Sequence, residues 1–200
     1  MNHIVDVFSG RKGESINKLK RSAVMILLIE EENDLYLILE KRALTLRKQP
    51  GDISLPGGGI EIGETPREAA IRETFEELNI EKENIQVIGE MDYFVTSFDS
   101  VIYPFVGTIK SFSGFPKGNE DEVAEVFKVP VKFFLENEPE EHEVLIKQHF
   151  KEDFPFDKIV NGKNYRFSEK TFNQYFYTYN EYVIWGITAT ILKRFADLIK

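Results

Sequence analysis

The sequence contains no cysteine, and that absence removes several chemistries at once. Disulfide frameworks, thiolate nucleophiles and cysteine-ligated zinc or iron–sulfur centres are all excluded. Histidine is nearly as scarce: three residues, at positions 3, 142 and 149, are too scattered to suggest a three-histidine catalytic metal site. Long apolar runs are missing too. The longest, Ala23 to Ile29, is far short of the roughly 20 residues a membrane-spanning helix needs. Residues 1–10 include Asp6 and no apolar core, unlike a signal peptide. The expectation is a soluble, cytoplasmic protein with no membrane partner. Any metal in it has to be held by carboxylates, which points to magnesium, manganese or calcium.

What is abundant is acid. Asp and Glu number 34 against 25 Lys and Arg, a formal charge of −9, which argues against nonspecific nucleic-acid binding. A chain of 200 residues, 42% hydrophobic with 17 Phe and 8 Tyr, can build a core without staples and fits one compact domain, its core spanning about residues 22–189. Neither repeats nor low-complexity tracts interrupt it.

Ser22 to Glu30 and Leu35 to Leu39 read as two antiparallel strands around the acidic turn Glu31-Glu32-Asn33-Asp34. Glycines and prolines between Lys48 and Gly63 exclude a continuous helix there. Thr65-Pro66-Arg67-Glu68 is a capping box, and Ala70, Ile71, Thr74, Phe75 and Leu78 then supply the buried face of a helix. Ile85 to Thr96, Val101 to Ile109 and Glu122 to Val129 read as strands, Gly114 to Gly118 as a loop, and Glu136 to Glu143 as a solvated acidic turn. Tyr165 to Phe167 and Gln174 to Tyr179 read as short aromatic strands. Tyr182 to Ile199 reads as a closing helix with Ile184, Ile187, Ile191, Phe195 and Leu198 on one side. The sum is a mixed α/β domain.

The chemistry concentrates between Gly57 and Ile80. Residues three and four apart on a helix share a face, so Glu73, Glu76 and Glu77 gather three carboxylates near a helix C-terminus, where both like charge and the helix dipole oppose them. A Glu-rich face is often only a solvated one, with Arg72 its ion-pair partner. The glycine loop just upstream favours a second reading. It lets backbone carbonyls approach a cation, and the carboxylates then complete a hard, all-oxygen site.

These residues resemble the signature of the Nudix hydrolases, G-x5-E-x7-R-E-U-x-E-E-x-G-U with U a bulky aliphatic. Gly58, Glu64, Arg72, Glu73, Glu76, Glu77 and Ile80 fall in register. Chance produces such a match at about 10⁻⁴ across a chain of this composition. Thr74 replaces the first aliphatic, and Asn79 replaces a glycine expected to end the helix in the left-handed region, where Asn is the usual second choice. The resemblance implies a Nudix fold, with a mixed sheet sandwiched between helices (α/β/α). It also implies water attack on the phosphorus of a nucleoside diphosphate linked to another group, with Mg2+ or Mn2+ as cofactor. By the same resemblance, Glu73 and Glu77 are the metal ligands, Glu76 and the Gly57 carbonyl support them, and Glu64 acts through water. Arg72 orients the carboxylates. Glu73, Glu76 and Arg72 therefore belong to the catalytic set, and the general base is Glu73 or Glu122, the latter on a strand whose acidic edge could equally be solvated.

A second stretch, Ile38 to Gly58, resembles the additional motif of the coenzyme A diphosphatase branch, L-L-T-x-R-[SA]-x3-R-x3-G-x3-F-P-G-G. Leu39, Arg42, Ala43, Arg47, Gly51, Pro56, Gly57 and Gly58 match, while Glu40 stands for Thr and Leu55 for Phe. Ile184 to Ala189 is similar to that branch's closing helix. The charge pattern agrees: residues 10–48 hold nine Lys and Arg against six acids, whereas residues 119–153 hold eleven acids against four Lys. Arg42 and Arg47 become substrate-binding candidates for the phosphates of coenzyme A, or else are surface ion pairs. The expected reaction is hydrolysis of coenzyme A or acyl-CoA to 3′,5′-ADP and 4′-phosphopantetheine or its acyl form. Alternatives are ADP-ribose, a dinucleotide or a nucleoside triphosphate as substrate, or a non-catalytic nucleotide-binding domain. The aromatic stretch Tyr175-Phe176-Tyr177-Tyr179 suits a core, a pantetheine arm or a homodimer interface, with core packing favoured.

Overall fold

The computed structural model describes residues 2–13, 15–110 and 114–200. After a short helix, Asn2–Phe8 (α1), the aliphatic segments form strands Lys20–Glu31 (β1) and Asp34–Arg42 (β2), paired as an antiparallel hairpin. Glu32 and Asn33 close it at φ of 52° and 69°, the two successive left-handed residues whose twist matches that of the strands. Ile53–Ser54 (β3) pairs with β2, and Gly57–Gly59 (β4) pairs with β1. The helix Pro66–Leu78 (α2) follows, then Ile85–Glu90 (β5), Phe94–Val95 (β6) and Ser100–Ile109 (β7). Val123–Pro130 (β8) runs directly into Val131–Glu136 (α3). A second, three-stranded sheet of Glu140–Ile146 (β9), Lys170–Tyr179 (β10) and Tyr182–Trp185 (β11) precedes the last helix, Gly186–Ile199 (α4).

The large sheet has the order β3-β2-β1-β7-β5, with β1 and β7 parallel at its centre. Alternation along β1 and β2 sends side chains into two separate cores. Ala23, Met25, Leu27 and Ile38 meet Ala69, Ala70 and Leu78 of α2 on one face. Ile26, Leu28, Leu37 and Leu39 meet Phe134 of α3 and Leu192 and Phe195 of α4 on the other. This is the expected layering of a mixed sheet between helices.

Helix α2 forms as its sequence dictates. The Thr65 N–H donates to Glu68 Oε2 at 2.8 Å and the Glu68 N–H donates to Thr65 Oγ1 at 3.3 Å, the reciprocal capping box. Asn79 ends the helix at φ 52°, ψ 39°, the left-handed conformation expected of it. Of the expected inward face, Ala70, Thr74 and Leu78 are buried, and Ile71 and Phe75 are half-buried.

Four expectations differ from the structure. Ile85 to Thr96 is two strands: β5 ends at Glu90 and β6 starts at Phe94, and between them Asp92 pairs with Arg194 of α4, 2.6 Å away. Glu140 to Glu143 is strand: β10 satisfies its backbone while the acidic side chains stay in solvent. Tyr165 to Phe167 is not a strand; Phe167 packs on Phe150 in an aromatic cluster, centroids 4.4 Å apart. Tyr182 to Trp185 pairs with β10, so the closing helix starts only at Gly186. Its buried face is Ala189, Ile191, Leu192, Phe195 and Ala196, leaving Ile187 and Leu198 exposed. Among the described residues, no helix is long and apolar enough to cross a membrane. Of the aromatic stretch, Tyr177 lies in the core edge-on to Phe134, while Phe176, on the opposite face of β10, stacks on Trp185.

Candidate active site

Two glycines let the loop after β3 run beneath α2. A Cβ on Gly57 would fall 2.3 Å from the Ala23 carbonyl oxygen, because β4 passes tightly along β1. A Cβ on Gly58 would fall 2.5 Å from the carboxyl carbon of Glu73, so the Glu73 carboxylate rests directly on the glycine backbone. One turn further along α2, Glu77 is buried, and its Oε2 accepts the Gly57 N–H at 2.7 Å.

Arg72 organises the remaining acids. Its Nε and Nη2 donate to the two oxygens of Glu64 at 2.9 and 3.1 Å, a bidentate pair. Nη1 donates to Glu73 at 2.8 Å and Glu76 at 3.0 Å, and Nη2 also donates to the Gly59 carbonyl at 2.9 Å. One guanidinium thus ties three carboxylates to the glycine loop.

The fourth wall is the turn before β8. The Asn119 N–H donates to the Glu77 carbonyl at 2.8 Å, Asn79 Nδ2 donates to the Lys117 carbonyl at 2.9 Å, and the Ala43 N–H donates to the Glu122 carbonyl at 2.8 Å. These bonds bring Glu122 to the mouth of the site. Glu122 lies in the turn itself, exposed, rather than on the strand that its neighbours predicted; β8 begins at Val123 because Asn119 first captures the N–H groups of both 122 and 123.

Electrostatics follow from this packing. Burial raises the proton affinity of Glu77, and the charge of Glu40 raises it further, partly opposed by the Gly57 N–H. Glu73 is raised as well, by burial against the opposing pull of Arg72. Glu64 goes the other way: the Arg72 hydrogen bonds hold it below the usual carboxylate range. Glu40 is the member that sequence reasoning missed. It is 1% exposed, raised by burial despite a hydrogen bond from Ser54, and sensitive to Glu122 and Glu73. An acid closing the apolar run Leu37-Ile38-Leu39 was the available signal.

Arg42 and Arg47 part company. Arg42 lines a cavity of about 650 Å³ that opens onto Gly57 and is walled by Leu55, Phe98, Phe172 and Trp185. Its Nε is buried and lacks a hydrogen-bond partner. Arg47 sits exposed in the turn after β2 and does not line that cavity. Neither forms an ion pair among the described residues. The aromatic wall combines Phe98, from the turn between β6 and β7, with Phe172 of β10 and Trp185 of β11, side chains that only the tertiary fold brings together.

The donors suit a divalent cation: carboxylates only, a glycine carbonyl beside them, and a buried Glu40 Oε2 with no partner. Among the described residues, no three His, Asp or Glu side chains already converge as ligands, because Arg72 holds Glu64, Glu73 and Glu76.

A helix of glutamates thus lies over a glycine loop, beside a cavity that Arg42 lines. Residues 19–158 match the NUDIX domain, and the chain belongs to that family. It is 32% identical over 187 residues to Nudix hydrolase 15, mitochondrial, of Arabidopsis thaliana, covering 90% of this chain and 59% of that protein. It is 30% identical over 186 residues to the uncharacterized Nudix hydrolase NudL of Photorhabdus laumondii, covering 90% of this chain and 86% of the relative. The chain spans less than two thirds of the length of the two plant relatives, Nudix hydrolases 15 and 22. Its fold is shared with a MutT/nudix family protein from Enterococcus faecalis, at a TM-score of 0.55 and 16% identity, covering 100% of this chain and 69% of that one.

Proposed function

We propose that this chain hydrolyses the diphosphate of coenzyme A or acyl-CoA, releasing 3′,5′-ADP and 4′-phosphopantetheine or its acyl form, with Mg2+ or Mn2+. The observation that carries this reading is Arg42. A half-buried arginine with a buried, unpartnered Nε, at the junction of the glycine loop and a large cavity, is suited to gripping phosphate oxygens while the rest of the substrate fills the cavity.

Glu73 and Glu77 would hold the cation, with Glu76, Glu64 and the Gly57 carbonyl completing its surroundings. When bound, a divalent cation neutralises the diphosphate and lowers the pKa of the attacking water. The protein's own part is positional. Arg72 fixes Glu64, Glu73 and Glu76 against the loop, and the cation would compete with its guanidinium for the same oxygens. Glu73, seated on the glycine loop, is one candidate to take the proton from the water as the P–O bond to the leaving phosphate breaks. Glu122, at the mouth of the site, is the other candidate for that proton.

Mass spectrometry of the products tests the assignment. Coenzyme A should yield 3′,5′-ADP, and dephospho-CoA should be a poorer substrate because it lacks the 3′-phosphate. No turnover of coenzyme A with either metal, or cleavage outside the diphosphate, overturns it. Preferred turnover of ADP-ribose or a dinucleotide would move the substrate to another nucleoside diphosphate derivative.

A further inference from the structure

Glu40 is a carboxylate that the proposed chemistry leaves unused. It occupies a position where coenzyme A diphosphatase-like sequences carry threonine, and it is almost completely buried. Strand alternation puts it on the face of the large sheet that Ile38 shares with α2. Its Oε1 accepts the Ser54 hydroxyl at 3.0 Å. Its Oε2 is buried without a hydrogen-bond partner, one of two such side-chain atoms among the described residues, the other being Arg42 Nε.

Glu77 reaches the same short segment from above, accepting the Gly57 N–H at 2.7 Å. Two buried carboxylates, one from the strand and one from the helix, therefore grip opposite ends of Ser54–Gly57. Arg42 stands two residues along β2, and its charge partly opposes the effect of burial on Glu40, but it forms no ion pair with Glu40 among the described residues and lines the adjacent cavity. Neither hydrogen bonding nor a salt bridge accounts for the free oxygen. A buried carboxylate with an open lone pair is unfavourable unless something positive completes it. The segment it shares with Glu77 is the one whose Gly57 carbonyl belongs to the proposed cation site.

We infer that Glu40 is a fifth carboxylate of the divalent-cation site, acting beside Glu77 at its buried end. The inference rests on the cation site proposed above and adds a donor that lies outside the glutamate-rich helix.

The test is calorimetric titration of Mn2+ into substrate-free wild type, Glu40→Gln and Glu40→Thr, with thermal melts of each protein with and without Mn2+. Both variants should bind Mn2+ about tenfold more weakly or worse, the loss typical of removing a metal-site contact. Metal-free Glu40→Gln should be at least as stable as wild type and gain less from Mn2+. Unchanged Mn2+ affinity in the variants overturns the inference, as does a Glu40→Gln that is destabilised without metal yet binds it normally, the behaviour of a bracing residue. If Glu40→Gln does not fold, Glu40→Thr carries the reading, and failure of both to fold also counts against it. A wild type that binds no Mn2+ removes the cation site itself, a result distinct from variants that bind as wild type does.

Discussion

The carboxyl carbon of Glu73 lies 2.5 Å from where a Cβ of residue 58 would be, so Gly58 and Glu73 occupy a space with no room for one methyl group. Since β4 pairs with β1, the glycine backbone is fixed, and the Glu73 side chain held by Arg72 is the partner that must give way. Gly58→Ala should therefore displace the Glu73 carboxylate while leaving the hairpin and α2 intact. The expected result is a fall in kcat of about 100-fold, the scale of an ångström-level misplacement, with an unchanged far-UV spectrum. Activity within threefold of wild type would show that Glu73 can relocate without consequence.

The separation of Arg42 from Arg47 gives a second prediction. Arg42→Ala should raise KM for a diphosphate substrate by about tenfold or more, as expected for loss of a charge-assisted phosphate contact. Arg47→Ala, at an exposed turn, should stay within about threefold. Steady-state kinetics on both variants decide it, and equal effects would mean that the cavity is not where the phosphates bind.

A third prediction concerns pH. Glu40, Glu73 and Glu77 all have raised proton affinity in the folded protein, chiefly through burial. A carboxyl raised on folding contributes stability below its unfolded pKa, and that contribution is lost as pH rises through the folded value. The metal-free protein should therefore melt progressively lower as pH climbs above the ordinary carboxylate range. Glu64, held down by Arg72, has the opposite sign, and its contribution is lost only in acid. Divalent metal should offset the alkaline loss and stabilise most at high pH, where its ligands are ionised. Glu77→Gln should flatten the metal-free slope; melts with and without chelator that show no flattening would contradict the assignment.

Asn79 carries the fourth. It holds φ at 52° and its side-chain amide donates to Lys117, securing the loop that delivers Glu122. Asn79→Gly keeps the backbone and should cost less than ~1 kcal/mol, whereas Asn79→Ala loses both features and should cost about 1–2 kcal/mol. Urea unfolding measures the difference.

Much of this protein is legible in its sequence because the rules involved act over a few residues. The capping box, the left-handed Asn79, the tight hairpin turn at Glu32-Asn33 and the facing of Glu73, Glu76 and Glu77 follow from backbone geometry within one or two turns. The spacing from Gly58 to Glu77 carries the family for the same reason, since loop and helix must meet whatever surrounds them. Local propensity failed where a partner strand supplied the backbone bonds: Glu140 to Glu143 became strand against β10, some thirty residues on, and Tyr182 to Trp185 by folding back on β10 in a tight hairpin.

The sequence alone, then, determined which acids stand on one helix and which glycines lie beneath them. Tertiary structure decided which of those acids is buried, that Glu40 joins Glu77 across the Ser54–Gly57 segment, and that Arg42 rather than Arg47 faces the cavity. The physical reason is range. Helical spacing and caps are local, but burial and the fields that shift a carboxylate's proton affinity depend on side chains tens of residues away, and only packing brings them together.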